Sequence, residues 1–176
     1  ALRFSTLAER NRALNLISDF KRFAEIKIPH PPSQKDELKW VQSARHYGLP
    51  TRLLDWTKNA AIALYCACYE LEHINKDGAV FFLNPVSLNT ETDKNNKKVL
   101  DPNSDAKIID KYLQLKGSTK KNGSGPIAIY PIWNSDRIVL QQGTFTIAGS
   151  REFALNNIQA PGLCALRIKK EHKTSL

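Results

Sequence analysis

The spacing of apolar residues predicts two helices in the first 46 residues. Pro29, Pro31 and Pro32 separate them, because proline removes a backbone donor and ends a helix. The second helix is predicted from Ser33 to about His46. The first is predicted from Thr6 to Ile26, with Thr6 and Glu9 as a capping box and an apolar stripe of Leu7, Leu14, Ile17, Phe20 and Ala24.

The middle of the chain combines an apolar helix, a strand and a long polar stretch. Residues 59–71 are apolar on nearly every face, which predicts a helix buried in the domain. A short strand is predicted from Ala79 to Leu83. Residues 86–125 are rich in Asn, Lys, Asp and Ser, so we expect a polar insertion with a mobile portion and a helical patch over residues 106–115.

In the last third of the chain, the spacing of apolar residues changes to the period of a β-strand. An antiparallel meander is predicted from Ile127 to Ile132, Arg137 to Gln141 and Thr144 to Ile147, and residues 163–168 form a further strand. Strand alternation would place Arg137 and Gln141 on one face and Gln142 on the other. Helices followed by antiparallel strands predict an α+β fold.

Composition limits the number of domains and the partners. A chain of 176 residues with 41% hydrophobic content suits one domain spanning residues 1–176. The net charge of +9 favours anionic partners, although many lysines lie in polar stretches typical of solvated loops. Three cysteines without ligand-like spacing, no long apolar run and no signal peptide predict a cytoplasmic protein without a membrane partner. Since methionine is absent, we expect truncation at one or both ends.

Candidate chemistry is concentrated between Arg45 and Thr57. Imidazole, as in His46, gains or loses a proton near neutral pH, and the guanidinium of Arg52 suits phosphate or carboxylate. Asp55 can orient either group, and Trp56, like Tyr47, offers a flat face for a ring.

A structural interpretation of the same residues stays open. Arg52 and Asp55 could form a buried ion pair, Trp56 could anchor the core, and Asp55 or Thr57 could cap the apolar helix that follows. In the later cluster, Gln142 and Gly143 could form a bulge rather than a site. Cys66 and Cys68 suit packing better than redox chemistry, since a buried thiol is a poor thiolate.

Two motifs stand out along the chain. The first is His46-Tyr47-Gly48-Leu49-Pro50-Thr51-Arg52-Leu53-Leu54-Asp55-Trp56-Thr57, followed by Ala63-Leu64-Tyr65. The second is Arg137-Ile138 with Gln141-Gln142-Gly143-Thr144-Phe145. Together they resemble the FRG domain family, which is found mostly in bacteria and phages. The chain departs from the family pattern at Arg45, where glutamine is usual, and Leu2-Arg3-Phe4-Ser5 is a poor echo of the family's aromatic-Arg-Gly motif.

The motif order of this family is similar to that of ADP-ribosyltransferases. The resemblance implies N-terminal helices packed on a mainly antiparallel, split ADP-ribosyltransferase-like sheet, with NAD as the ligand and no metal. The positions that it implies for catalysis are His46, Gln141 and Gln142. Those that it implies for ligand binding are Tyr47, Thr51, Arg52, Asp55, Trp56, Arg137 and Phe145. A neutral glutamine cannot supply the charge of the glutamate that such transferases use.

Three functions follow as hypotheses. The first is an NAD-using ADP-ribosyltransferase or NAD glycohydrolase that acts as a toxin or phage-defence effector. The alternative is a non-enzymatic module that binds a nucleotide, another phosphate-bearing ligand or nucleic acid, as the charge of +9 suggests. The third is a nucleic-acid-cleaving toxin that uses His46 with Arg52.

Overall fold

The computed structural model describes residues 7–113, 125–149 and 162–173. It confirms the α+β class, with helices and two antiparallel sheets in these ranges. The helices are α1 Leu7–Lys27, α2 Glu37–His46, α3 Ala60–Cys68, α4 Pro85–Thr92, α5 Ala106–Leu113 and α6 Asp136–Leu140. The strands are β1 Leu53–Thr57, β2 Gly78–Leu83, β3 Ile127–Ile129, β4 Gly143–Ile147 and β5 Leu163–Ile168. Short 3-10 helices cover Leu71–His73 and Lys170–His172.

The larger sheet has the order β1-β4-β3, with antiparallel pairing on both sides of β4. Ile147 of β4 lies opposite Leu53 of β1 and Ile127 of β3, and all three side chains are fully buried. Helices α2 and α5 add Val41 and Ile109 to the same core. This apolar rung fixes the register of the sheet, because a shift by one residue would turn the buried side chains outwards.

The smaller sheet pairs β2 with β5, from Gly78 opposite Ile168 to Leu83 opposite Leu163. Helix α3 lies close to the beginning of β2: a Cβ added at Gly78 would stand 2.7 Å from the carbonyl oxygen of Ala67. A side chain at position 78 would therefore push the helix away from the strand. No strand pairing joins the two sheets within the described residues, and the expected likeness of the fold to ADP-ribosyltransferases remains a prediction.

The predicted strand from Arg137 to Gln141 is wrong. Residues Asp136–Leu140 form the short helix α6, and Gln141 caps it by donating its amide to the carbonyl oxygen of Arg137. The next residue, Gln142, has a φ of 47° and turns the chain into β4. The five residues close their hydrogen bonds locally, so the alternation of faces expected for a strand does not occur.

The prediction of a buried helix over residues 59–71 is right about the helix and wrong about its burial. No residue of α3 is buried by the described parts of the chain, and Tyr65 and Cys66 are exposed. In the described ranges the sheet beside α3 has two strands, and α3 lies against β2 and β1 without being enclosed by them. The cap is also different from the expectation: Asn59 accepts hydrogen bonds from Ala61 and Ile62.

The stretch expected as a polar insertion contributes helices α4 and α5 and several core residues, which are Leu88, Leu100, Ile109, Tyr112 and Leu113. Residues 114–124 lie outside the described ranges, as does Thr6 of the predicted capping box. Asn89 joins α4 to β3: its fully buried amide donates to the carbonyls of Lys98 and Ala128 and accepts from the amide of Ala128.

Asp105 precedes α5 and organises the turn before it. Its carboxylate accepts from the backbone amide of Asp101 at 2.9 Å and pairs with Lys98 at 2.8 Å. The hydrogen bonds from Lys98 and Asp101 hold the pKa of Asp105 below its usual value. The ionised carboxylate is therefore the form that stabilises the fold.

We predict that Asp105→Asn lowers the free energy of unfolding at neutral pH by about 1 kcal/mol, discounted because Lys98 is largely exposed. A folded-state pKa below the unfolded value of about 3.9 gives stability that is present above that pH. It is lost as the pH falls through the folded-state pKa, so the difference from wild type should shrink on acidification. Denaturant unfolding at several pH values measures this, with Glu91→Gln on the exposed part of α4 as the control. A difference that does not depend on pH would contradict the assignment.

Candidate functional site

A cleft of about 270 Å³ lies between α2, β1, α6 and β4. It joins the two sequence motifs, which are about 90 residues apart in the chain. The residues that line it are Gln42, Arg45, His46, Gly48, Asp55, Trp56, Arg137, Ile138, Gln141, Gly143, Thr144 and Phe145.

Helix α2 provides one wall through Gln42, Arg45 and His46. Residues three and four apart share a helix face, so this spacing directs all three towards the cleft. The helix ends directly after His46, and Gly48 follows with a φ of 84°. Glycine suits this position because other residues rarely adopt a positive φ after a helix.

Arg45 and Asp55 form an ion pair at the rim. The Nε and one terminal nitrogen of Arg45 donate to Oδ2 of Asp55 at 2.8 and 2.6 Å. Both side chains are partly exposed, so the pair orients the groups more than it stabilises the fold. The interpretation that Asp55 pairs with Arg52 is therefore wrong.

Arg137 and Gln141 provide the opposite wall from α6. The Nε of Arg137 donates to Oε1 of Gln141 at 3.3 Å, which is the i to i+4 spacing of a helix. No carboxylate of the described residues forms an ion pair with Arg137. Thr57 donates its hydroxyl to the backbone carbonyl of Gln141 and so ties α6 to the end of β1.

Gln42 is the most unusual member of the lining. Its side chain is 2% exposed, and neither its amide nitrogen nor its amide oxygen has a hydrogen-bond partner among the described residues. Buried polar groups nearly always have partners, and leaving one without a partner costs about 1–3 kcal/mol. The sequence prediction did not include this residue.

The structure places Arg52 outside the cleft. Its guanidinium is buried and donates to the backbone carbonyls of Tyr112, Ala148 and Gly149. Burial raises the pKa of the neighbouring Tyr112 hydroxyl to about 12, against the opposing effect of the Arg52 charge. The hypothesis of nucleic-acid cleavage by His46 with Arg52 loses its geometric basis, since the two side chains do not share the cleft.

Some of the other predicted site residues line the cleft, and the rest lie outside it. His46, Asp55, Trp56, Arg137, Gln141 and Phe145 line the cleft. Thr51 is buried with its hydroxyl oxygen bound to the amide of Leu53, and Gln142 forms the turn before β4. Tyr47 is exposed and packs edge-on against His46, with ring centroids 5.3 Å apart, but it is not part of the lining.

Two observations bear on metals and membranes. No group of three His, Cys, Asp or Glu side chains that could hold a metal ion occurs in the described ranges. Over the same residues, no helix combines the length and apolar character needed to span a bilayer. The three cysteines are unpaired, and Cys66 and Cys164 are exposed.

In a comparison with protein families, the FRG domain model matches residues 2–76. This match confirms the resemblance drawn from the first motif, and it contains α1, α2, β1 and α3. The wall formed by Arg137 and Gln141 lies beyond the matched residues. Neither the curated proteins nor the solved structures include a match to this chain.

We predict that Arg52→Met lowers the free energy of unfolding by about 2–3 kcal/mol, because it removes hydrogen bonds from a charged donor to buried carbonyls. Chemical denaturation measures the loss. Arg137→Gln is the control, since that exposed arginine lies in the cleft wall and should leave stability unchanged. Equal stability of Arg52→Met and wild type would show that the arginine is not a structural residue.

Proposed function

We propose that the cleft binds a nucleotide, and that its ligand is NAD, used for ADP-ribosyl transfer or for hydrolysis to nicotinamide. The observation that carries this proposal is the convergence of His46, Arg137 and Gln141 on one cleft with Trp56. A guanidinium suits phosphate, an amide suits ribose hydroxyls, and an indole suits a flat ring. Such an activity would suit a bacterial toxin or a phage-defence effector.

The size of the cleft supports one half of a dinucleotide as the enclosed part. Pockets for small molecules typically measure about 300–1,000 Å³, and this cleft, at about 270 Å³, is slightly smaller. It suits a ring with its sugar, while phosphates would remain at the open side. Arg137 is exposed and is the cleft residue best suited to hold them.

The side chains of the cleft divide the chemistry between them. When bound, NAD supplies a glycosidic bond whose cleavage releases nicotinamide. His46 is the group that can accept or donate a proton, and Gln141, held by Arg137, would orient a ribose hydroxyl. Asp55 is the carboxylate in the lining, and its charge is balanced by Arg45.

We predict that the purified protein binds NAD and slowly releases nicotinamide. Arg137→Gln should weaken binding about tenfold, since a charged hydrogen bond to phosphate is lost. His46→Ala should retain binding and lose the release of nicotinamide. Calorimetric titration and chromatography of the products measure the two effects.

The control for this experiment is Lys111→Gln, which removes a positive charge from the exposed side of α5 outside the cleft. It should match wild type in both assays. The absence of both a heat of binding and released nicotinamide from the wild-type protein would refute the proposal.

A second candidate is a non-enzymatic module for nucleic acid. The net charge of +9 favours it, as does an exposed surface where the ammonium of Lys58 lies 5.1 Å from the ring centroid of Tyr130. Trp133 nearby in the sequence is 74% exposed. Exposed aromatic rings beside positive charges are typical of surfaces that stack the bases of single strands.

For this candidate we predict that the affinity for a single-stranded oligonucleotide falls steeply as the salt concentration rises. A plot of the logarithm of the association constant against the logarithm of the salt concentration should have a slope of about −0.7 for each phosphate contacted. Trp133→Ala should weaken binding, whereas Phe23→Ala, at an equally exposed ring on α1, should not. Fluorescence anisotropy at several salt concentrations measures both. Binding that does not respond to salt would count against this function.

A further inference from the structure

The amide of Gln42 is buried in the wall of the cleft and lacks a hydrogen-bond partner among the described residues. Arg45 binds Asp55, and Arg137 binds Gln141. Two further polar side chains of the lining also have partners: the indole nitrogen of Trp56 donates to Thr146, and the hydroxyl of Thr144 donates to the carbonyl of Ile129. None of these pairings involves the amide of Gln42, whose hydrogen-bonding groups are therefore available for a molecule that enters the cleft.

Asn89 shows what a structural amide looks like in this protein. It is as deeply buried as Gln42, and its donor and acceptor sites are satisfied by three hydrogen bonds to backbone groups. Gln42 is 2% exposed and has none. The contrast indicates that the amide of Gln42 is not there to hold the fold together, since its burial without partners costs stability.

We propose that Gln42 recognises a ligand edge that carries a hydrogen-bond donor and an acceptor side by side. A glutamine amide offers one acceptor and two donors, so its best partner is a complementary edge of this kind. This inference rests on the proposed function, because NAD contains two such edges. One is the carboxamide of nicotinamide, and the other is the edge of adenine, which glutamine can bind through two hydrogen bonds.

To contact a ligand, the amide would change rotamer so that its oxygen and nitrogen turn from the buried side of the wall towards the cleft. Both amide atoms are shielded from solvent in the free protein, while the side chain itself forms part of the cleft wall. The inner torsions of glutamine move between staggered rotamers and its terminal torsion has a broad energy profile, so the amide has other orientations open to it. Pairing with the ligand then satisfies the groups that are unsatisfied without it.

The test is Gln42→Met, which replaces the amide with an apolar group of the same length. In the free protein its Tm should equal or exceed that of wild type, because an unsatisfied buried amide is removed. The matched comparison is Asn89→Leu, which should lower the Tm because it breaks three hydrogen bonds. For NAD, the Kd of Gln42→Met should rise at least about tenfold.

Two further titrations distinguish the two edges. If the carboxamide is recognised, wild type binds nicotinamide more tightly than nicotinic acid, and Gln42→Met removes this preference. If adenine is recognised, adenosine binding weakens in the variant instead. Saturation-transfer NMR detects these small ligands, and a loss of affinity for either one supports the proposal.

Two results would overturn the inference while leaving the proposed function intact. One is NAD binding of equal strength by wild type and Gln42→Met. The other is a lowered Tm for Gln42→Met, which would show that the amide stabilises the free protein. If wild type binds none of NAD, nicotinamide and adenosine, the proposed function fails and the inference fails with it.

Discussion

The pairing of β4 with β1 is the interaction on which the rest of the structure depends. It brings residues near position 55 next to residues near position 145, with Asp55 opposite Phe145 and Trp56 opposite Thr144. The buried contact of Leu53 with Ile147 holds this register. Because β1 belongs to the FRG match and β4 does not, the cleft requires both parts of the chain.

The fold was predictable from sequence where an element was long or clearly bounded. Helix α1 and strands β2 and β5 begin and end within a residue or two of their predicted limits. Helix α6 was not predictable in this way, because five residues do not distinguish a period of 2 from one of 3.6. The exposure of α3 was missed because apolar composition shows what a helix can bury, whereas the neighbouring elements decide what covers it.

The site was predictable to a similar degree. The density of reactive side chains singled out His46, and the second motif singled out Arg137 and Gln141; all three line the candidate cleft, and their functional roles stay predictions. Arg137 and Gln141 were expected on one face of a strand, whereas a turn of helix brings them together. The partners of Arg52 are backbone carbonyls, which every residue has, so the sequence could not predict them. Gln42 could have been noticed as a polar residue beside the core-facing Val41, four positions before His46.

The ion pair between Arg45 and Asp55 has a consequence for how the mouth of the cleft can vary. Either residue alone would leave an uncompensated charge beside Trp56, whereas the ion pair has no net charge. Interacting residues of this kind have effects that do not add, so the result of changing one depends on whether the other is present. The two positions therefore behave as one unit, and the charge at the opening of the cleft is set by the ion pair rather than by either side chain.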